Sequence, residues 1–296
     1  MYKLQLNHVL LTGKVYGGSG WSTLIDEANN LTLVSLSPFS MDFDVGYFNT
    51  TPPLDSMRFM NVFHGYSYVA FLQRPKKAGG KWEVMEYNNK DKPIYIDASV
   101  NEIGSMFGAA LCATNLNSDG FSDLLVGAPA QGDKNSLSYD SGAVHIFLGG
   151  DKRKITERRT IVSTKSAGHF GRTIATKDVD GDGLSEIFVS APFEDSGNGA
   201  VYILNGQEIK NFVTVNEPDT VKKLTDFKLT QRIQNTQYKW FGYSLQPLPD
   251  LDGNRNSELA IGAPYSGKVL LYRSVSFLIV NVSAEIVQDV SVEFDK

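Results

Sequence analysis

Hydrophobic and polar positions alternate in blocks along this chain, and the block pattern repeats. Three short apolar runs each end in Ala-Pro: Leu124-Leu-Val-Gly-Ala-Pro129, Ile187-Phe-Val-Ser-Ala-Pro192 and Leu259-Ala-Ile-Gly-Ala-Pro264. Runs of this length, rich in β-branched residues and bounded by Gly and Pro, predict buried strands. Each follows a polar stretch of nine residues, and each polar stretch begins eight or nine residues after a Phe-Gly pair, at Phe107-Gly108, Phe170-Gly171 and Phe241-Gly242. A further strand pattern comes later in each copy, at 142–148, 199–204 and 268–272. A more polar fourth one follows in the first two, near 154–162 and 227–233. The Phe-Gly pairs stand 63 and 71 residues apart, so the chain is a repeat protein with strand-rich units and no long helix between 39 and 275.

The nine-residue stretches carry the chemistry. In Asp178-Val-Asp180-Gly-Asp182-Gly-Leu184-Ser-Glu186, oxygen-bearing side chains stand at positions 1, 3, 5 and 9. Alternate carboxylates on a tight loop can converge on one hard cation, which takes six to eight oxygens. A glycine at position 6 lets the chain turn and frees the carbonyl of position 7, Leu184, as a further ligand. The other copies offer Asn115, Asn117, Asp119, Phe121 (by its carbonyl) and Asp123, and Asp250, Asp252, Asn254, Asn256 (by its carbonyl) and Glu258. An EF-hand loop would need Glu at position 12 and a helix beyond it. Here position 12 is Val126, Val189 and Ile261, within strand patterns, so each loop joins two strands. Charge counting ranks the sites: 178–186 tightest with four carboxylates, then 250–258 with three, then 115–123 with two. Arg255, at the sixth position of the second-ranked loop, adds a backbone cost there.

Phe-Gly, then an Asp/Asn-x-Asp/Asn-x-Asp/Asn loop, then Gly-Ala-Pro or Ser-Ala-Pro resembles the FG-GAP repeat, and its arrangement over residues 39–275 is similar to the β-propeller of integrin α subunits. The resemblance implies an all-β fold: a partial β-propeller of four-stranded antiparallel blades, followed by the first strands of an immunoglobulin-like sandwich, the thigh domain. The expected divisions are 1–38, the remnant of a preceding blade; 39–106, a degenerate blade without a metal loop, with Phe39 in the Phe-Gly place; 107–169, 170–240 and 241–275, blades with calcium loops; and 276–296, the start of the thigh. It implies up to three structural Ca2+ ions. Phe107, Phe170 and Phe241 are then packing residues between blades, and the glycines mark close backbone approaches.

Composition narrows the picture without changing it. The 296 residues are 42% hydrophobic and 11% aromatic, with a net charge of −5. That suits a globular chain and gives no clustered basic face for a nucleic acid. The basic stretch 151–159 reads as the solvated edge of an outer strand. The single cysteine, Cys112, excludes an internal disulfide, and His145 reads as a packed or hydrogen-bonded side chain rather than a ligand. The glycines at 17–20 lack the Lys-Ser/Thr of a phosphate loop and read as a turn. No signal peptide opens the sequence and no run is long enough for a membrane span. Sequons stand at Asn30, Asn49 and Asn281.

No nucleophile–base arrangement or zinc helix is present in the sequence, and metal-ligand spacing accounts for the paired carboxylates, so the chain reads as a non-enzyme. The resemblance implies a piece of a cell-adhesion receptor on the extracellular side of the plasma membrane, paired with an integrin β subunit and binding an extracellular-matrix or cell-surface protein. Two alternatives remain open: a propeller appended to a secreted hydrolase, and a truncated isoform without receptor activity.

Overall fold

The computed structural model describes the strand segments 19–26, 31–36, 68–73, 83–84 and 95–97, and residues 105–132, 138–149, 158–215, 217, 220–228, 230–254 and 256–273. The expected thigh segment 276–296 and Arg255 lie outside the described residues. The fold is all-β in its framework, and the described strands form four sheets.

The first sheet contains β1 (Ser19–Asp26), β2 (Leu31–Leu36), β3 (Tyr68–Gln73), β4 (Glu83–Val84) and β5 (Tyr95–Asp97). β1 pairs with β2 and β2 with β3, both antiparallel, while β4 and β5 share the other edge of β3. The expected division at residue 38/39 therefore falls inside one hydrogen-bonded sheet. Phe39 itself lies outside the described residues.

The second sheet runs through β6 (Ala110–Thr114), β7 (Asp123–Ala128), β8 (Ala143–Phe147) and β9 (Arg158–Val162), each antiparallel to the next. The third contains β10 (Ile174–Lys177), β11 (Glu186–Ala191) and β12 (Ala200–Leu204). After β12 comes a helix, α1 (Gly206–Val213), then β13 (Thr220–Lys223), and β14 (Gln231–Ile233) closes the third sheet on β12. The fourth sheet is β15 (Ser244–Pro247), β16 (Leu259–Ala263) and β17 (Lys268–Tyr272).

α1 and β13 were not expected, and β13 corrects two readings. It leaves its own sheet and runs parallel to β9, pairing Thr220 with Arg159 and Lys223 with Val162. The edge of β9 is thus covered instead of solvated. Arg159, in the basic stretch, is fully buried and donates to the carbonyl of Val215. A chain segment from the expected 170–240 unit so completes the sheet of the 107–169 unit.

The core lies between sheets. In β11 every position is buried, because both faces are covered. Ile187, Val189 and Ala191 face one way, into a cluster with Leu125, Val144, Ile146 and Ile161 of the second sheet. Phe188 faces the other way, with Leu245, Leu259 and Ile261 of the fourth. Phe107, Phe170 and Phe241 are each fully buried. The first strands β1, β6, β10 and β15 are sequential neighbours in space. The junctions are closed by backbone: Phe170 N donates to Ser141 O at 3.0 Å, and Phe241 N donates to Asn198 O at 3.3 Å.

Candidate metal centre

The three loops connect the first and second strands of their sheets, so all three lie at equivalent places in the fold. Their ninth residues, Asp123, Glu186 and Glu258, stand at the start of the second strand and are at most 4% exposed. Each carboxylate reaches back to the amide of the loop's second residue: Leu116 at 2.8 Å, Val179 at 3.0 Å and Leu251 at 2.8 Å. The second oxygen of Asp123 accepts from Gly149 N at 2.9 Å, and that of Glu186 from Gly206 N at 3.2 Å. Burial pushes the Asp123 carboxyl up to about 6 despite the amides of Leu116 and Gly149, and also raises Glu186, with the charges of Asp180 and Asp182 adding to it.

Inside each loop the odd-numbered side chains turn inward and are caught by amides further on. Asp178 accepts from Gly181 and Gly183, Asp180 from Asp182, and Asp182 from Leu184. Asp250 accepts from Gly253, Asp252 from Asn254, and Asn254 from Asn256. Asn117 accepts from Asp119, and Asp119 from Phe121. In all three the amide of position 7 (Phe121, Leu184, Asn256) is bonded to the side chain of position 5. The fourth position is left-handed in each, at Ser118, Gly181 and Gly253.

This folding brings three carboxylates together twice. Oxygens of Asp178, Asp180 and Glu186 lie within 4.8 Å of one another, and so do those of Asp250, Asp252 and Glu258. Asp182 stands outside the first trio. Loop 115–123 has no such trio: its Asn117 Nδ2 donates to Asp119 Oδ2 at 2.9 Å. Two acceptors point to what the loops take. Asn115 Oδ1 and Glu258 Oε1 are buried and have no hydrogen-bond partner among the described residues. Native folds rarely leave a buried acceptor unmatched, and an oxygen-only donor set suits a hard cation. The residues fit such an ion.

The sequence pattern of the FG-GAP repeat matches residues 107–147 and 170–204, each stretch running from a Phe-Gly pair through a loop to the third strand. Among curated proteins, integrin alpha-4 of Xenopus laevis is 33% identical over 225 residues, covering 74% of this chain and 20% of that protein. Integrin alpha-5 of the same species is 34% identical over 63% of this chain and 17% of its own length. Integrin alpha-PS2 of Drosophila melanogaster is 32% identical over 61% of this chain and 13% of its own. The chain is an FG-GAP segment of the integrin α family. It spans no more than about a fifth of the length of these integrin α subunits.

A second polar cluster of this integrin α segment lies at the opposite ends of the same second strands, and the sequence reading missed it. Two residues after Pro192, Glu194 is buried and accepts from Lys165, Arg232 and the hydroxyl of Tyr202. Its neighbour Asp195, left-handed at φ 51°, accepts from Arg232 and Gln234. Burial and the adjoining Glu194 carboxylate push the Tyr202 phenol up. The second sheet has a neutral version at matching positions, Gln131, His145 and Thr160. His145 Nε2 donates to Gln131 Oε1 at 2.7 Å, which leaves Nδ1 to accept from Thr160 Oγ1 at 3.0 Å. His145 is therefore a bonded core residue, as expected. The equivalence of positions 131 and 194 after Ala-Pro was the available signal.

Burial, with the charge of Arg158, lowers the His145 imidazole to about 3. An unfolded chain binds that proton near pH 6.5. The neutral fold is thus fully stable above 6.5 with respect to this group, and loses about 1.4 kcal/mol per pH unit as pH falls from there toward 3. Asp123, raised in the fold, works in the opposite direction below about 6. We expect the difference in unfolding free energy between the native chain and His145→Gln to shrink by about 2 kcal/mol between pH 6.5 and 5. Urea denaturation at the two pH values measures it, and a constant difference would mean that His145 titrates in the fold as it does in the unfolded chain.

Proposed function

We propose that this chain is the calcium-binding β-propeller portion of an integrin α-type adhesion receptor. The observation that carries the reading is the pair of carboxylate trios, one on the loop inside the FG-GAP match at 170–204 and one on the loop of the same pattern at 250–258, each closed by a buried Glu. Asp178, Asp180, Asp182 and Glu186 with the Leu184 carbonyl hold one ion; Asp250, Asp252, Asn254 and Glu258 with the Asn256 carbonyl hold another. Asn115, Asn117, Asp119 and Asp123 with the Phe121 carbonyl form the weakest site. The ions are structural: they neutralise carboxylates that the loop and strand force together. Stacked sheets whose first strands are sequential neighbours support propeller blades, with divisions near 107, 170 and 241. By relation to the integrin α subunits, this portion stands on the extracellular side of the plasma membrane within a longer receptor, which pairs with an integrin β subunit and binds a matrix or cell-surface protein. It works by adhesion rather than catalysis.

Calcium titration followed by thermal unfolding tests this reading. A ligand at a hundredfold excess over its dissociation constant stabilises a fold by about 2.7 kcal/mol. Asp180→Ala is expected to forfeit most of that stabilisation in calcium, Asn117→Ala much less, and a chelator to reduce the difference. Melting curves that ignore calcium would refute the reading. If Asn117→Ala removed the tightest site, the charge ranking would be wrong.

A further inference from the structure

α1 is seated between two of the loops. Its first amide, Gly206 N, donates to Oε1 of Glu186, the ninth residue of loop 178–186. The seat is tight, since a Cβ on Gly206 would lie 2.8 Å from Leu184 Cβ and 3.2 Å from Ser185 O. One turn on, Lys210 Nζ donates to Ser118 Oγ at 3.1 Å, the fourth residue of loop 115–123. Ile209, Phe212 and Val213 share a core with Leu116, the second residue of that loop. Past α1, the Val215 carbonyl accepts from the buried Arg159, and β13 pairs along β9 of the sheet that carries loop 115–123. Lys222 of β13 is held over the Phe227 ring at 4.0 Å. One covalent segment, 206–223, thus touches a ligand of one loop and the framework of the other.

We propose that this segment couples the two loops: a cation in 178–186 tightens the docking of 206–223 on the preceding sheet and raises the cation affinity of 115–123. The proposal rests on the calcium reading above. Without an ion, three carboxylates with oxygens within 4.8 Å repel, and Glu186 is restrained by its two amide donors. An ion removes the repulsion and fixes Glu186, so the first amide of α1 meets a stationary acceptor. Docked α1 in turn holds Leu116 and Ser118. Loop 115–123 has the fewest carboxylates to organise it, so it gains most from being ordered in advance. The coupling is reciprocal by linkage.

Hydrogen exchange of the full chain reads the first half of the proposal without any substitution. Calcium is expected to raise protection of amides in 206–213 and 220–223 by about fivefold or more. Titration calorimetry reads the second half, with Asn117→Ala identifying the heat of loop 115–123. Asp180→Asn is expected to abolish the gain in protection and weaken loop 115–123 by about fivefold. Phe212→Leu, which loosens the packing of α1 in the core it shares with Leu116, is expected to retain the heat of 178–186 while loop 115–123 weakens. Calcium that binds 178–186 but leaves 206–223 unprotected and loop 115–123 unchanged by Asp180→Asn overturns the coupling and leaves the calcium reading standing. Identical heats for the native chain and Asp180→Asn overturn both.

Discussion

Glu194→Ala is expected to destabilise the chain by about 3 kcal/mol, far more than a surface charge substitution. The side chain is fully buried and serves Lys165, Arg232 and Tyr202 at once. Removing one member of a buried charge set costs about 3–5 kcal/mol, and here the partners lose their buried counter charge and keep only the exposed Asp195. The lower end applies here, since the side chains of Lys165 and Arg232 are 45% and 29% exposed and can turn toward water. Gln131→Ala, at the matching place in the second sheet, breaks a hydrogen bond between neutral groups and should cost about 1 kcal/mol. The fourth sheet has Ser266 and Leu270 where the third has Glu194 and Tyr202, so the architecture itself does not demand the charges. Glu194→Leu combined with Arg232→Met should accordingly recover most of the loss. Urea denaturation at fixed calcium decides the matter: a loss below about 1 kcal/mol for Glu194→Ala would show that the cluster does not stabilise the third sheet.

Gly142→Ala is expected to be more damaging still, above about 4 kcal/mol, a size reserved for changes with a specific structural cause. Gly142 has φ +91°, and a Cβ there would lie 2.0 Å from the carbonyl oxygen of Phe170 and 2.4 Å from its nitrogen. The obstacle is backbone, paired with Gly142 in a bridge between two sheets, so it cannot give way without parting the sheets. A Cβ on Gly199 would meet the carbonyl oxygen of Phe241 at 2.2 Å at the next junction. Gly181 is the control. Its φ is +79°, yet nothing lies within 4 Å of its would-be Cβ, so Gly181→Ala should cost only the left-handed penalty of about 1–2 kcal/mol. Both variants are compared by denaturation without calcium, which removes the effect of the loop on ion binding. Equal losses would mean that backbone conformation, and not the close approach, requires glycine at 142.

Much of the architecture could be read from local pattern. The three Ala-Pro runs are strands β7, β11 and β16, and the polar nonamers are the turns before them. The helix α1 was also legible in principle. Asn205 accepts from the amides of Gln207 and Glu208, and Ile209, Phe212 and Val213 have the three- and four-residue spacing of one helical face. Eight residues between two strand patterns resemble a connection, which hides it. The expected division at 38/39 rests on Phe39, which lies outside the described residues, while β2 and β3 on its two sides share one sheet.

Local sequence specifies the repeat, the strands that flank each loop and the identity of the oxygen donors, because each depends on residues within a dozen positions of one another. That Asp178, Asp180 and Glu186 converge while Asp182 stands aside depends instead on how the loop closes onto β11. Tertiary structure alone decides that the basic edge of β9 is covered by β13, and that Arg159 and Glu194 are buried. Whether a charge meets water or a partner is set by which distant segment lies against it. Chain neighbours do not encode that choice, because burial belongs to the stacked sheets together and to no single strand.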